Sequence, residues 1–210
     1  MSPSQILDGV WRFEALHPEW TEDEGGEEGW EPAVAWWAIA TAEGLALVDP
    51  LVNDWEALDE LVVAHGGCPG IVRTCHWHER SIAEAARRYR APVLAGRPVQ
   101  DSTAPAPERE VRDRELLFGA LIALHLGRID ELCLWLSDRD ALLFGDAMLR
   151  RESGRLRVCP DSWLPSGGGQ ERLREILAGL AAELPVAHVL VSHGPHVAGD
   201  GLVALRAALA

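Results

Sequence analysis

Four polar residues each follow an apolar run: Asp49 after "LALV", His76 after "GIVRTC", Asp146 after "ALLFG" and His193 after "AHVLVS". His78 stands two residues beyond His76, and in an extended segment that spacing points both imidazoles to one side. Strand ends gather at one edge of a sheet, so side chains distant in sequence meet there. Two imidazoles and a carboxylate facing one point bind a borderline divalent metal such as Zn2+, Fe2+ or Mn2+ and leave positions open for water. A hydrolase needs that arrangement.

The elements that must position these residues follow from periodicity and breakers. "GVWRFEAL" (9–16), "AVAWWAIAT" (33–41) and "GLALVDP" (44–50) read as strands, the last two joined by a turn at Ala42, Glu43 and Gly44. Asn53 caps an expected helix, "DWEALDELVVAHGG", that Gly66 and Gly67 end. A short strand "GIVRTC" leads to His76, and a second helix carries Ile82, Ala85, Ala86 and Tyr89 on one face before the strand "APVLA". After a linker (97–112), "ELLFGALIALHL", "ELCLWLSD" and "ALLFGD" read as strands, with Asp138, Arg139 and Asp140 as a hairpin turn. A Gly/Ser/Pro loop, the helix "ERLREILAGLAAEL", the strand "AHVLVSH" and a last helix (201–210) complete the chain. Both halves run strands first and helix-plus-strand afterwards, which predicts two sheets face to face with helices outside.

"TCHWHERS", "LHLGRIDELCLWL", "LLFGDAML" and "VSHGP" stand in the order and at roughly the spacings of the metallo-β-lactamase superfamily, which the chain resembles from about Gly9 onward. The resemblance implies an α+β fold, a four-layer αββα sandwich, as a single domain over residues 1–210. In that family a T-x-H-x-H-x-D-H loop supplies ligands for two metals, a P-G-H histidine completes the first site, a Gly-Asp bridges both, and a late histidine completes the second. By resemblance His76 and His78 match the first pair, Asp146 the bridging aspartate and His193 the late histidine. Asp49 matches an aspartate that supports the site without binding metal.

Three ligand positions differ. Arg80 stands where the family has its aspartate, Ser81 where it has the adjacent histidine, and Arg128 where the third histidine of the first site belongs. An arginine is always protonated and cannot ligate a cation, so a full two-metal site is not expected. Two readings remain open. In one, a single divalent metal (Zn, Fe or Mn) sits on His76, His78 and Asp146, with His193 as fourth ligand or acid/base, and Asp146 and His193 as the catalytic pair. Arg80 and Arg128 then bind the anionic part of an ester, thioester or phosphoryl substrate, or the developing oxyanion. In the other, no metal is bound, Arg80 pairs with Asp146 in the ion's place, and the chain is a pseudoenzyme that binds a small anion or another protein. Among the remaining histidines, His125 and His196 are candidates for the same cleft.

Bulk properties narrow the partners. The formal charge of -14 opposes binding to nucleic acid or anionic lipid. No apolar run approaches the ~18 residues of a membrane span, and no leader pattern is seen, so a cytoplasmic protein acting on a small molecule or anion is expected. Cys68, Cys75, Cys133 and Cys159 lack C-x-x-C spacing and read as reduced thiols. Seven carboxylates between Glu19 and Glu31, with no basic residue, cannot be core. The tryptophans flanking them, Trp20 and Trp30, could form an apolar lid or a homodimer contact, against the plainer reading of a solvated loop.

Overall fold

The computed structural model describes residues 3–26, 29–97, 106–127, 131–151, 154–164 and 169–210. The first sheet is formed by β1 (Ser4–Leu7), β2 (Val10–Leu16), β3 (Ala33–Thr41), β4 (Gly44–Val48), β5 (Ile71–Arg73), β6 (Val93–Ala95) and β7 (Arg109–Glu110), side by side in chain order. Neighbours are antiparallel up to β4 and parallel from there on. Helices α1 (Trp55–Ala64) and α2 (Ile82–Tyr89) connect the parallel strands. The second sheet contains β8 (Glu115–Leu117), β9 (Leu121–His125), β10 (Leu132–Leu136) and β11 (Ala141–Phe144). A separate hairpin of β12 (Met148–Arg150) and β13 (Leu156–Val158) follows, then α3 (Gln170–Glu183), β14 (His188–Val191) and α4 (Gly201–Leu209). β14 lies parallel to β11 at the edge of the second sheet.

Alternation along the central strands sorts three apolar layers. In β3, Ala35, Trp37 and Ile39 face the space between the sheets, while Trp36 and Ala38 face α1 and α2. In β10, Leu132, Leu134 and Leu136 face the same interior, while Cys133 and Trp135 face α3 and α4. Side chains of successive strand residues point to opposite faces, so a strand buried on both reads as an unbroken apolar run. The result is the expected αββα sandwich. Among the described residues no helix is long and apolar enough to cross a membrane. None of the four cysteines is in a disulfide.

Local departures from the sequence expectation have identifiable causes. Asp54, not Asn53, caps α1: its carboxylate accepts from the Ala57 amide at 3.1 Å. Asn53 instead donates to the Glu14 carbonyl at 3.3 Å. Asp54 is one residue nearer the first turn and adds a negative charge at the positive end of the helix. "ELLFGALIALHL" is two strands, because Phe118 and Gly119, at φ 52° and 70°, make a tight turn inside the apolar run. The short strands β1, β7, β12 and β13 have too little alternation to be read from sequence.

Candidate metal centre

The parallel pairs bring the polar residues together. Phe144 of β11 lies opposite Val191 of β14, so Asp146 and His193 each emerge two residues past the last pair. Val48 of β4 lies opposite Val72 of β5, so Asp49 and Thr74 emerge side by side. The two sheets are tied at this end by Ala35 N to Ser192 O (2.7 Å) and Leu132 N to Thr74 O (2.8 Å). Four strand ends from both sheets therefore meet at one place.

His78 is at the centre of the group and only 3% exposed. Its Nδ1 lies 2.8 Å from Asp49 Oδ2, and its Nε2 lies 3.0 Å from Asp146 Oδ1. His193 Nε2 reaches the same Asp146 oxygen at 3.0 Å. The Cys75 thiol lies 3.5 Å from Asp146 Oδ2. Asp49 is buried and held at φ 49°, a conformation that asparagine and aspartate tolerate better than most residues. It accepts from the Thr74 amide at 2.8 Å and from the Thr74 hydroxyl. Thr74 in turn packs against Gly145, where a Cβ would stand 2.3 Å from its hydroxyl. Glycine is required at that approach to Asp146.

Charge in the site is balanced by neighbours. Burial and the Arg80 guanidinium pull the His78 pKa down, but the Asp146 and Asp49 carboxylates outweigh them and raise it to about 9. Burial pushes Asp146 up, yet the two histidines hold it well below the usual carboxylate range. His193 is lowered, by burial first, against the opposing bond to Asp146. Glu131, buried beside them and accepting from the Ala147 amide at 2.9 Å, is raised well above its ordinary value by burial and by Asp146. Burial and Asp146 thus favour the neutral form of Glu131, while the two histidines favour the ionised form of Asp146.

Arg80 does not pair with Asp146, the contact that the metal-free reading allows. One of its nitrogens lies 3.1 Å from His78 Nε2, and another donates to the carbonyls of Asp49 (3.1 Å) and Ala35 (3.4 Å). With φ 37°, its backbone aims the side chain back under the loop toward these carbonyls. Ser81 anchors that loop, accepting from the Val52 amide at 2.9 Å. His76 lines the same cleft, with its ring against Trp77 at 4.1 Å between centroids. Arg128 lies outside the described residues. His125 bonds the Val111 carbonyl at 2.9 Å and His196 lies off the cleft, so neither joins the group.

The cleft above the group measures about 440 Å3. Trp30 and Trp163 contact the His193 ring edge-on, at 5.0 and 5.7 Å between centroids. The acidic loop is therefore not merely solvated. Trp20 donates to the Trp30 carbonyl, and Arg151 and Arg157 hold the loop through the carbonyls of Gly26 and Gly29. Sequence reasoning missed Cys75, Glu131 and Trp163 as cleft residues. Cys75 alone carried a signal, since it directly precedes His76 at a strand end.

Among the described residues, Cys75, His78 and Asp146 form a partial metal-ligand group, their donor atoms within 4.8 Å of one another. The donor separations of 3.0 and 3.5 Å match the edges of a coordination shell with bonds of ~2.0–2.3 Å. Asp49 adds the outer carboxylate that fixes the ring of a ligating histidine. The residues present fit one divalent ion. Arg80, with its guanidinium 3.1 Å from His78 Nε2, adds fixed positive charge beside the group and opposes the further charge of a second ion.

No family model matches the sequence, and no curated protein matches it. Solved structures do match the fold. The chain aligns over 99% of its length with DIM-1 metallo-β-lactamase (11% identity, 95% of that chain, TM-score 0.71). It aligns equally far with the metallo-β-lactamase FIM-1 from Pseudomonas aeruginosa (17% identity, 93% of that chain, TM-score 0.69) and one from Pontibacter korlensis (16%, 98%, 0.66). The chain has the metallo-β-lactamase fold.

Proposed function

We propose that this chain is a metal-dependent hydrolase with a single divalent metal, acting on an ester, thioester or phosphoryl substrate. The observation that carries the reading is His78, whose Nδ1 is fixed by buried Asp49 while its Nε2 shares one oxygen of Asp146 with His193. Cys75, His78 and Asp146 would hold the ion, with His76 and His193 as candidate further donors. A thiolate in the set favours Zn2+ over Fe2+ or Mn2+, and the FIM-1 neighbour is described in a mono-zinc form. When bound, such a metal supplies Lewis acidity, polarising a carbonyl or phosphoryl oxygen and acidifying water.

The chain's own residues do the rest. Trp30 and Trp163 shield His193 from bulk water. His193, whose pKa burial lowers, donates from Nε2 to Asp146 and would serve as the acid/base group when it is not a ligand. Arg80, and Arg128 by its sequence position, stabilise charge developing on the substrate oxygen.

A second reading is favoured by the two carboxylates on His78, Asp49 at Nδ1 and Asp146 at Nε2, with Arg80 lying 3.1 Å from the nitrogen a metal needs. In that reading a protonated His78 bridges Asp49 and Asp146, balances the cleft without an ion, and leaves a small-molecule binding protein. Metal analysis decides between them. Protein purified without chelator should carry about one equivalent of metal and lose it in His78→Ala. A metal-free preparation that gains no thermal stability from Zn2+ or Mn2+ overturns the hydrolase reading.

A further inference from the structure

The cleft has two zones of opposite character. At its floor are His78, Asp146 and Arg80, and Arg80 is the one arginine among its described lining residues. Its walls are aromatic: His17, Trp30, His193 and Trp163 run in edge contact at 5.2, 5.0 and 5.7 Å between centroids. Trp77, 68% exposed, lies on the lining as well. Toward solvent the lining ends in the carboxylates of Glu19 and Glu24, both exposed on the loop that covers the cleft. Neither forms a salt bridge among the described residues; Glu24 instead accepts from the Trp30 indole at 3.2 Å. That bond fixes a tryptophan beside a carboxylate.

Indole faces attract cations, and a nearby carboxylate adds to the attraction. An anion entering here would pass two carboxylates that have no ion pair among the described residues, in a protein whose formal charge is -14. We infer that the cleft selects a substrate with an alkylated ammonium head, seated among Trp30, Trp163, Trp77 and the Glu19 and Glu24 carboxylates, with its ester or phosphoester oxygen toward Arg80. This rests on the hydrolase reading for the ester part only; recognition of the ammonium head stands on the walls and rim. The anion-selective cleft expected from Arg80 and Arg128 is thereby narrowed to the floor.

The test uses the full chain, Zn2+-loaded and chelator-treated. Choline and its uncharged isostere 3,3-dimethylbutan-1-ol are titrated by tryptophan fluorescence and calorimetry, and the benzoate esters of the two alcohols are assayed for turnover. Choline should bind at least about tenfold more tightly than the isostere, an advantage that falls with salt. The double variant Glu19→Gln with Glu24→Gln should lose about tenfold in choline affinity at an unchanged melting temperature, and Trp30→Leu a similar factor. Equal affinity for both alcohols, or an unchanged choline affinity in the double variant, overturns the inference. Choline binding without turnover of either ester sinks the hydrolase reading and leaves the ammonium site standing. Turnover of both esters at equal kcat/KM, without choline preference, does the reverse.

Discussion

Asp49→Asn changes one atom type under the proposed metal ligand. Asparagine tolerates the φ of 49° at this position, so the backbone need not move. The amide oxygen can still accept from the Thr74 amide, now 2.8 Å from Asp49 Oδ1. The amide nitrogen then faces His78 Nδ1, where Asp49 Oδ2 lies at 2.8 Å. Two donors cannot share that contact, so the neutral ring moves its proton to Nε2, the atom that would bind metal. Loss of such an outer carboxylate costs about 10–100-fold in metal affinity. Loss of a charged buried hydrogen bond costs about 1.5–3 kcal/mol of stability, roughly 3–12 °C in a chain of this size. Competition for Zn2+ against a chromophoric chelator gives the first quantity and thermal unfolding the second. Long-range 15N–1H correlation spectra report which nitrogen of His78 carries the proton. A variant that binds Zn2+ within twofold of wild type, with Nε2 still unprotonated in the loaded protein, refutes the assignment of Asp49 as the residue that orients His78.

Two further outcomes follow from the same geometry. In chelator-treated protein the His78 pKa, about 9, lies above its ordinary value of 6.5, so its contribution to stability is complete below about pH 6.5 and is lost as pH rises through about 9. The groups facing it are Asp49, Asp146, Arg80, His193, Glu131 and Thr74; melting temperature should fall across that window, and a flat profile that His78→Gln does not alter would contradict the bridged imidazolium. Gly194→Ala places a Cβ 1.5 Å from the Arg150 carbonyl at φ 87° and should cost at least about 2 kcal/mol in chemical unfolding. Gly66→Ala, at φ 82° with nothing within 4 Å, should cost only about 1 kcal/mol, and equal losses in the two variants would show that the Arg150 contact is not tight.

What the sequence by itself determined is the set of strands and the residues at their ends. An apolar run buried on both faces, as in β3 or β10, announces itself because nearly every position must be apolar, and a polar residue at its end stands out by contrast. The substitutions at Arg80, Ser81 and Arg128 were equally plain, since each replaces a residue type that the resemblance would make a metal ligand. Tertiary structure decided which atoms face which. No spacing rule could give the register Phe144 to Val191 that sets Asp146 beside His193, because strand pairing is chosen by the packing of both sheets. Nor could one tell that Arg80 turns toward the carbonyls of Asp49 and Ala35 and not toward Asp146. The fate of the acidic loop also depended on distant partners. Its carboxylates suggested solvation, yet Arg151 and Arg157, more than a hundred residues away, fasten its backbone over the cleft and set Trp30 against His193.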